Sequence, residues 1–322
     1  VRMAVAKARH IQPLPEQTVP VNKIGLVIGG GIGGMTAALN LADQGFSCSL
    51  IEKQDTLGGN FKKLSYTQKL IDQVKKNKLV SVYTNAELQQ TSGFVGNFSS
   101  IITTGKGAKA KEVTLDHGII IIATGAREHR PETALANSIK YSKKVVTQSE
   151  LAEQLEGKGK NRAPDSIVMV QCAGSRGDDL NYCSKTCCIT AVQNALRVKE
   201  INPDSQVIML YRDIRTYGYA EDLYQDARQK GVLFIPYEMD NKPVIAEKGG
   251  KLSVSFFDPI LQDDVSMNPQ MVALSVGMVP EETDTLSKLL KVPVTADKFF
   301  LEAHVKLRPV ELPVDGVYVC GL

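Results

Sequence analysis

Short runs dominated by apolar residues recur along the chain, and most end at a glycine or a polar turn. Ile24 to Ile28, Ser47 to Ile51, Val80 to Tyr83, Ser166 to Gln171, Gln206 to Tyr211, Met271 to Gly277 and Gly316 to Gly321 are of this kind. They are too short for helices and predict strands; four consecutive isoleucines, Ile119 to Ile122, predict a strand covered on both faces. Between them, Ile32 to Gly45, Leu70 to Asn77, Ile189 to Glu200 and Ala220 to Lys230 read as helices. The last has Glu221 and Asp222 in its first turn, Arg228 and Lys230 in its last and Gly231 as its stop, the order the helix dipole favours. Strands alternating with helices predict an α/β fold of parallel sheets flanked by helices. Leu88 to Thr104 and Lys111 to Leu115 alternate with a period of two and predict a small antiparallel insert, whereas Phe256 to Pro259 reads as loop.

This pattern divides the chain. Residues 1–20 read as a helix, Val1 to Ile11, and a linker that Pro13, Pro15 and Pro20 keep extended. Residues 21–150 together with 266–322 predict one discontinuous domain, to which the strands at Met271 and Gly316 return. A polar stretch from Gly157 to Pro164 leads into the second, residues 151–265.

The first strand–helix–strand unit carries GGGIGG between Gly29 and Gly34, the turn of a dinucleotide-binding fold. Gly29 makes the tight turn, Gly31 lets backbone approach a pyrophosphate, and Gly34 brings helix and strand close. The helix N-terminus offers unpaired N–H groups to phosphate. Glu52, at the end of the second strand, stands where a carboxylate accepts hydrogen bonds from the adenosine ribose. Gly58-Gly59-Asn60 lies just beyond, where a glycine pair lets backbone reach a flavin, and favours FAD over NAD. Ala123-Thr124-Gly125 supplies a third permissive turn after the isoleucine strand.

Composition narrows the class. In 322 residues, 38 basic against 35 acidic side chains give a net charge of +3, without the basic excess of a nucleic-acid binder. No run of eighteen apolar residues predicts a membrane span, and the N-terminus has no signal-peptide pattern. Both ends read as cut, which predicts a piece of a longer protein. Six cysteines, four of them between Cys172 and Cys188, suit a metal site in a reducing, cytoplasmic setting better than a disulfide framework.

The second unit departs from the first at its turn. Where a phosphate loop would stand, the chain reads Cys172-Ala173-Gly174-Ser175-Arg176 and then Tyr182-Cys183-Ser184-Lys185-Thr186-Cys187-Cys188. Zinc, an iron–sulfur cluster, a redox dithiol and plain core cysteines are all open on these residues. The irregular spacing is tolerated best by a [4Fe–4S] cube, and a helix N-terminus at Cys187 favours an anionic thiolate cluster. Cys48 and Cys320 read as packing residues. His10, His117, His129 and His304 lack any supporting motif, so no general base is assigned.

VRMAVAKAR, VIGGGIGGMTAALNLADQG, LGGN, SGFVGNF, IIIIATGA, the cysteine block, YRDIRTYG and GVYVCGL together resemble the FAD-carrying A subunit of CoB–CoM heterodisulfide reductase. The resemblance implies a thioredoxin-reductase-like flavoprotein with two dinucleotide-binding domains, the second degenerate. It implies FAD on Gly29, Gly30, Gly31, Ile32, Gly33, Gly34, Glu52, Lys53, Gly58, Gly59, Asn60, Ala123, Thr124, Gly125 and Gly321. It implies a [4Fe–4S] cluster on Cys172, Cys183, Cys187 and Cys188. The implied activity is flavin-based electron bifurcation between ferredoxin and a disulfide, with other subunits of the complex, a hydrogenase- or dehydrogenase-type donor and a second copy of the chain as partners. Two departures stand out: the interval from Leu64 to Leu70 is short, and no acidic residue follows Gly321. An NAD(P)H-dependent disulfide reductase, with Arg212 and Arg215 reading a 2′-phosphate, and a zinc-binding scaffold are the rival expectations.

Overall fold

The structure is a computed structural model that describes residues 1–12, 18–107, 110–131, 141–157, 159, 163–177, 180–281 and 283–321. The linker prolines Pro13 and Pro15, and part of the polar stretch before Pro164, lie outside the described residues. The first helix, Arg2–His10, buries none of its residues.

Two five-stranded parallel sheets carry the chain. The first runs in the order Val317–Val319, Ile119–Ile122, Gly25–Ile28, Cys48–Glu52, Val80–Thr84. Helices Ile32–Asp43 and Ser65–Lys76 pack beside it, with Met35, Ala38, Leu70 and Val74 buried against Val27 and Leu50. Fully burying a side chain such as Leu50 contributes about 1.5–3 kcal/mol. The isoleucine strand is less covered than expected, since Ile120 and Ile122 are buried while Ile119 and Ile121 are only half so. The second sheet runs Leu233–Pro236, Gln206–Tyr211, Ser166–Ala173, Met271–Val276, Val145–Thr147. Helices Gln148–Leu155, Cys187–Ile201 and Glu221–Gln229 cover one face of it.

The sheets repeat one plan. In each, three strands are laid down outward from the first, a three-stranded antiparallel meander follows, and the next strand returns to the opposite side of the first. The meander of the first half is Ala86–Phe94, Asn97–Thr104 and Lys111–His117, as the alternation predicts. That of the second is Val244–Lys248, Lys251–Asp258 and Asp263–Met267. Phe256 to Asp258, read as loop, therefore lies in a strand, where Phe256 is buried between the meander and the parallel sheet.

Met271–Val276 is a correction of the same origin. Expected to rejoin the first sheet, it pairs with Ile167 to Ala173 of the second, and Val145–Thr147 pairs on its far side. The unrecognised meander delivers the strand back to the sheet it left, as the first meander delivers Ile119–Ile122. Between the halves, Ala126–Glu128 pairs antiparallel with Met278–Pro280.

His117 closes the first meander. It is 1% exposed and stacks on Phe98. Its Nδ1 donates to the carbonyl of Ile119 at 3.1 Å and its Nε2 accepts from the Ser100 hydroxyl at 2.8 Å. Burial pulls its pKa down to about 4, against the upward pull of the Ile119 hydrogen bond. The ring is neutral in the fold but protonates near pH 6.5 in the unfolded chain. The unfolded state thus binds the extra proton, so this contribution is complete above about pH 6.5 and is lost as the pH falls toward 4, an effect of roughly 3 kcal/mol. Urea midpoints measured across this window should fall with pH, and His117→Gln should flatten that slope; equal slopes in both proteins would contradict the assignment.

Candidate dinucleotide cleft and cysteine loop

Three turns meet at the carboxyl ends of the first sheet. Gly29 donates its N–H to the carbonyl of Ile51 at 2.8 Å, tying the first turn to the second strand. A Cβ on Gly34 would lie 1.9 Å from the Gly29 carbonyl oxygen, so only glycine permits the helix to start this close. Gly31 is different: its φ is −73° and a Cβ there would meet nothing within 4 Å. In the second turn, Gly58 donates to the Gly30 carbonyl at 2.8 Å. In the third, Ala123 donates to Ile28 and Cys320 to Ile122, both at 2.8 Å.

These turns wall a cleft of about 370 Å³. Gly29, Gly31, Ile32, Gly33, Glu52, Lys53, Gly58, Gly59, Asn60, Ala123, Thr124, Gly125 and Gly321 line it. Gly30 and Gly34 do not; they pack against Glu52 and Leu57, and against the Gly29 carbonyl. Helix Ile32–Asp43 has no side-chain cap and no acidic residue in its first turn. Its orphan N–H groups and positive dipole end therefore suit a phosphate. The residues fit a dinucleotide in shape and in charge.

Glu52 is 7% exposed. Its Oε2 accepts from the Gly30 N–H and its Oε1 from the Gln54 N–H, each at 2.7 Å. The carboxylate thus pins the glycine turn to the end of the strand, and its remaining lone pairs are what a ribose hydroxyl could reach. Asn60 donates its Nδ2 to the Ala126 carbonyl at 2.5 Å, and Lys53 pairs with Glu281 at 3.2 Å.

Met278 and Glu281 from the crossing strand region, and Thr285 and Leu286 from helix Asp284–Leu290, also line the cleft. No motif announces them, because the tertiary crossing brings them there. Cys320 lines the cleft too, its Sγ 3.7 Å from the Gly33 carbonyl.

All six cysteines are free thiols. Cys172, next to last in the strand Ser166–Ala173, is left-handed at φ 55°, where the register with Met271–Val276 shifts, and Arg176 and Lys185 share that conformation at 58° and 62°. Three strained non-glycine residues in one loop mark a segment held by its surroundings. Helix Cys187–Ile201 begins on the cysteine pair. Arg176 reaches the Cys172 sulfur at 3.9 Å, and the Lys185 N–H donates to the Cys183 sulfur at 3.3 Å. The Cys187 thiol donates to the Val276 carbonyl at 3.2 Å.

Burial, with a smaller push from the neighbouring cysteines, takes the Cys187 thiol up to about 12. Burial likewise takes Cys188 up to about 11, against the lowering effect of a backbone hydrogen bond at Arg215. Among the described residues, however, no three His, Cys, Asp or Glu side chains are arranged to hold a metal ion together. The donor set suits a thiolate-ligated centre in kind. Asp213 gathers the cations beside it. Burial pushes its carboxyl up, but Arg176 and Arg215 outweigh that and hold it below the usual range.

Residues 27–78 match the NAD(P)-binding Rossmann-like domain family. Over its whole length the chain is 29% identical to the A subunit of the H2:CoB–CoM heterodisulfide, ferredoxin reductase of Methanothermobacter marburgensis. It is 30% identical to the second iron–sulfur A subunit of the CoB–CoM heterodisulfide reductase of Methanopyrus kandleri. The chain is similar along its whole length to these heterodisulfide reductase A subunits. It spans 63% and 64% of the length of those two proteins. The alignment with the first covers 424 positions, more than the chain contains, so that relative carries internal segments without a counterpart here. The thioredoxin-reductase-like architecture follows from solved structures. Thioredoxin reductases of T. acidophilum and Lactococcus lactis, 16% and 17% identical, each superimpose with a TM-score of 0.55 over 92% of this chain and 89% of theirs.

The two glycines separate folding from binding. Gly34→Ala should destabilise the chain, because its Cβ meets backbone. Gly31→Ala should keep the wild-type melting temperature yet lose more than about ten-fold in retained dinucleotide, since a Cβ there projects into the cleft. Chromatography of nucleotide released by denaturation, beside thermal melts, checks both; full retention in Gly31→Ala would refute the cleft assignment.

Proposed function

We propose that this chain is the flavin-binding core of an oxidoreductase, one component of a heterodisulfide-reductase-type complex. The observation that carries the reading is the meeting of three glycine-rich turns around one cleft, in a chain that aligns end to end with the A subunits of such reductases. FAD is its cofactor, and bound there it supplies the exchange between two-electron and one-electron transfer. Gly29, Gly31, Ile32 and Gly33 hold the pyrophosphate, with the orphan N–H groups of Ile32 and Gly33 as donors, while Gly30 and Gly34 shape the turn behind them. Glu52 meets the ribose through its free lone pairs. Gly58-Gly59-Asn60, Ala123-Thr124-Gly125 and Gly321 would lie against the flavin end, where residues without bulky side chains admit a ring system, and Lys53, paired with Glu281, adds a positive charge to the cleft wall.

Cys172, Cys183, Cys187 and Cys188 hold a [4Fe–4S] cluster, whose chemistry is one-electron storage. What the chain adds is the charge environment. Arg176 and the Lys185 N–H offer hydrogen bonds to sulfur, and the helix dipole at Cys187 favours negative charge. In the complex, the reaction is flavin-based electron bifurcation in the cytoplasm, electrons from a hydrogenase- or dehydrogenase-type donor being divided between ferredoxin and a disulfide. Names of relatives support that scope, one of them being the A subunit of the ferredoxin:CoB–CoM heterodisulfide reductase of Methanosarcina acetivorans. A second copy of the chain and the other reductase subunits complete the assembly.

Direct reduction by NADPH is the weaker reading. The second half lacks the glycine cradle, and the arginines a 2′-phosphate would need are already engaged. Arg215 donates through Nε and Nη2 to Asp213 at 3.2 and 3.1 Å, and Arg212 donates to the Arg176 carbonyl at 2.7 Å.

Material purified without oxygen should contain FAD, iron and acid-labile sulfide. Cys187→Ala should lose the iron and its EPR signal while retaining FAD. Zinc in place of iron, or rapid flavin bleaching by NADPH in iron-free protein, would favour a rival.

A further inference from the structure

The carboxyl end of the second sheet holds polar groups that the fold leaves without partners. Gln171 is completely buried, and among the described residues neither its Oε1 nor its Nε2 has a hydrogen-bond partner. Ser275, 1% exposed, has an unpartnered hydroxyl. Leaving such groups unpaired is destabilising, and an apolar residue would avoid it.

Side chains alternate along the strand, so the core clusters show which way each orphan faces. Ile167 and Met169 pack with Ala191, Val192 and Ala195 of the cysteine helix, while Val168 and Val170 join the opposite core. Gln171 therefore falls on the helix side. Ser275 falls there as well, since Ala273 joins that core and Leu274 and Val276 join the other. Val170 is paired with Leu274, which makes the two orphans neighbours at the ends of adjacent strands.

Each also adjoins the cysteine loop. Gln171 immediately precedes Cys172, and Ser275 precedes Val276, whose carbonyl accepts from the Cys187 thiol. The Tyr237 hydroxyl donates to the Gln171 carbonyl at 2.6 Å, so the backbone is fixed while the amide stays uncommitted.

We propose that the Gln171 amide and the Ser275 hydroxyl are hydrogen-bond donors to the sulfur centre of the cysteine loop and set its reduction potential. The inference rests on the iron–sulfur reading of that loop. Sulfide and thiolate sulfurs gain negative charge on reduction, and N–H and O–H donors stabilise that charge, which raises the potential. Both are positioning residues, since neither is a ligand.

The test is an EPR-monitored redox titration of the oxygen-free chain beside Gln171→Met and Ser275→Ala. Each variant should retain its iron and shift the cluster to a more negative potential, further for Gln171→Met, while the flavin midpoint stays unchanged. Wild-type cluster potentials and EPR spectra in both variants would overturn the proposal and leave the two groups as core polarity alone. If Gln171→Met fails to fold, the nearly isosteric Ser275→Ala carries the comparison. Wild-type protein with FAD but no iron would instead defeat the iron–sulfur reading itself, and this inference with it.

Discussion

The approach of helix Ile32–Asp43 to its own turn is the constraint on which the first half depends. With no side chain on Gly34, the helix starts against the Gly29 carbonyl, and the turn can then be gripped from two sides, by the Glu52 carboxylate on Gly30 N–H and by Gly58 on the Gly30 carbonyl. A bulkier residue would push the helix N-terminus outward and break the alignment of three separate turns. The cleft is thus a consequence of backbone packing before it is a matter of any ligand-contacting side chain.

The second half reuses the same strand plan with another solution at the turn. Small residues at the end of Gly25–Ile28 are replaced at the end of Ser166–Ala173 by a left-handed cysteine and by further cysteines at the start of the following helix. Both helices present their positive ends to the carboxyl edge of a parallel sheet, so the electrostatic preference is shared while the donor atoms differ. Buried thiols resist ionisation, as Cys187 does at about 12, and anything that takes them as ligands must displace their protons.

Much of this was legible in the sequence because local sterics dictate it. The glycine spacing, the apolar strands and the capping charges of Glu221–Gln229 each act within a few residues. The cleft's far wall was not legible: Met278, Glu281 and Leu286 arrive through the crossing strand, and no local pattern encodes that path. The second meander was partly legible, since Leu252, Val254 and Phe256 alternate with Ser253 and Ser255; Phe257 breaks that alternation and the polar strand Asp263–Met267 gives little apolar signal. Leaving it unread sent Met271–Val276 to the wrong sheet. Gln171 was read as the last residue of an ordinary strand, because an unpaired amide is visible only once its surroundings are known.

The crossing strand also ties the cysteine loop to the cleft. Met278 lines the cleft, accepts from the Tyr182 hydroxyl and donates to the Ser184 hydroxyl, both at 2.8 Å. Moving the cysteine loop away from the crossing strand would have to break both bonds. A change in the shape of that loop is therefore felt at one residue of the cleft wall, through backbone groups and not through any residue a glycine motif announces.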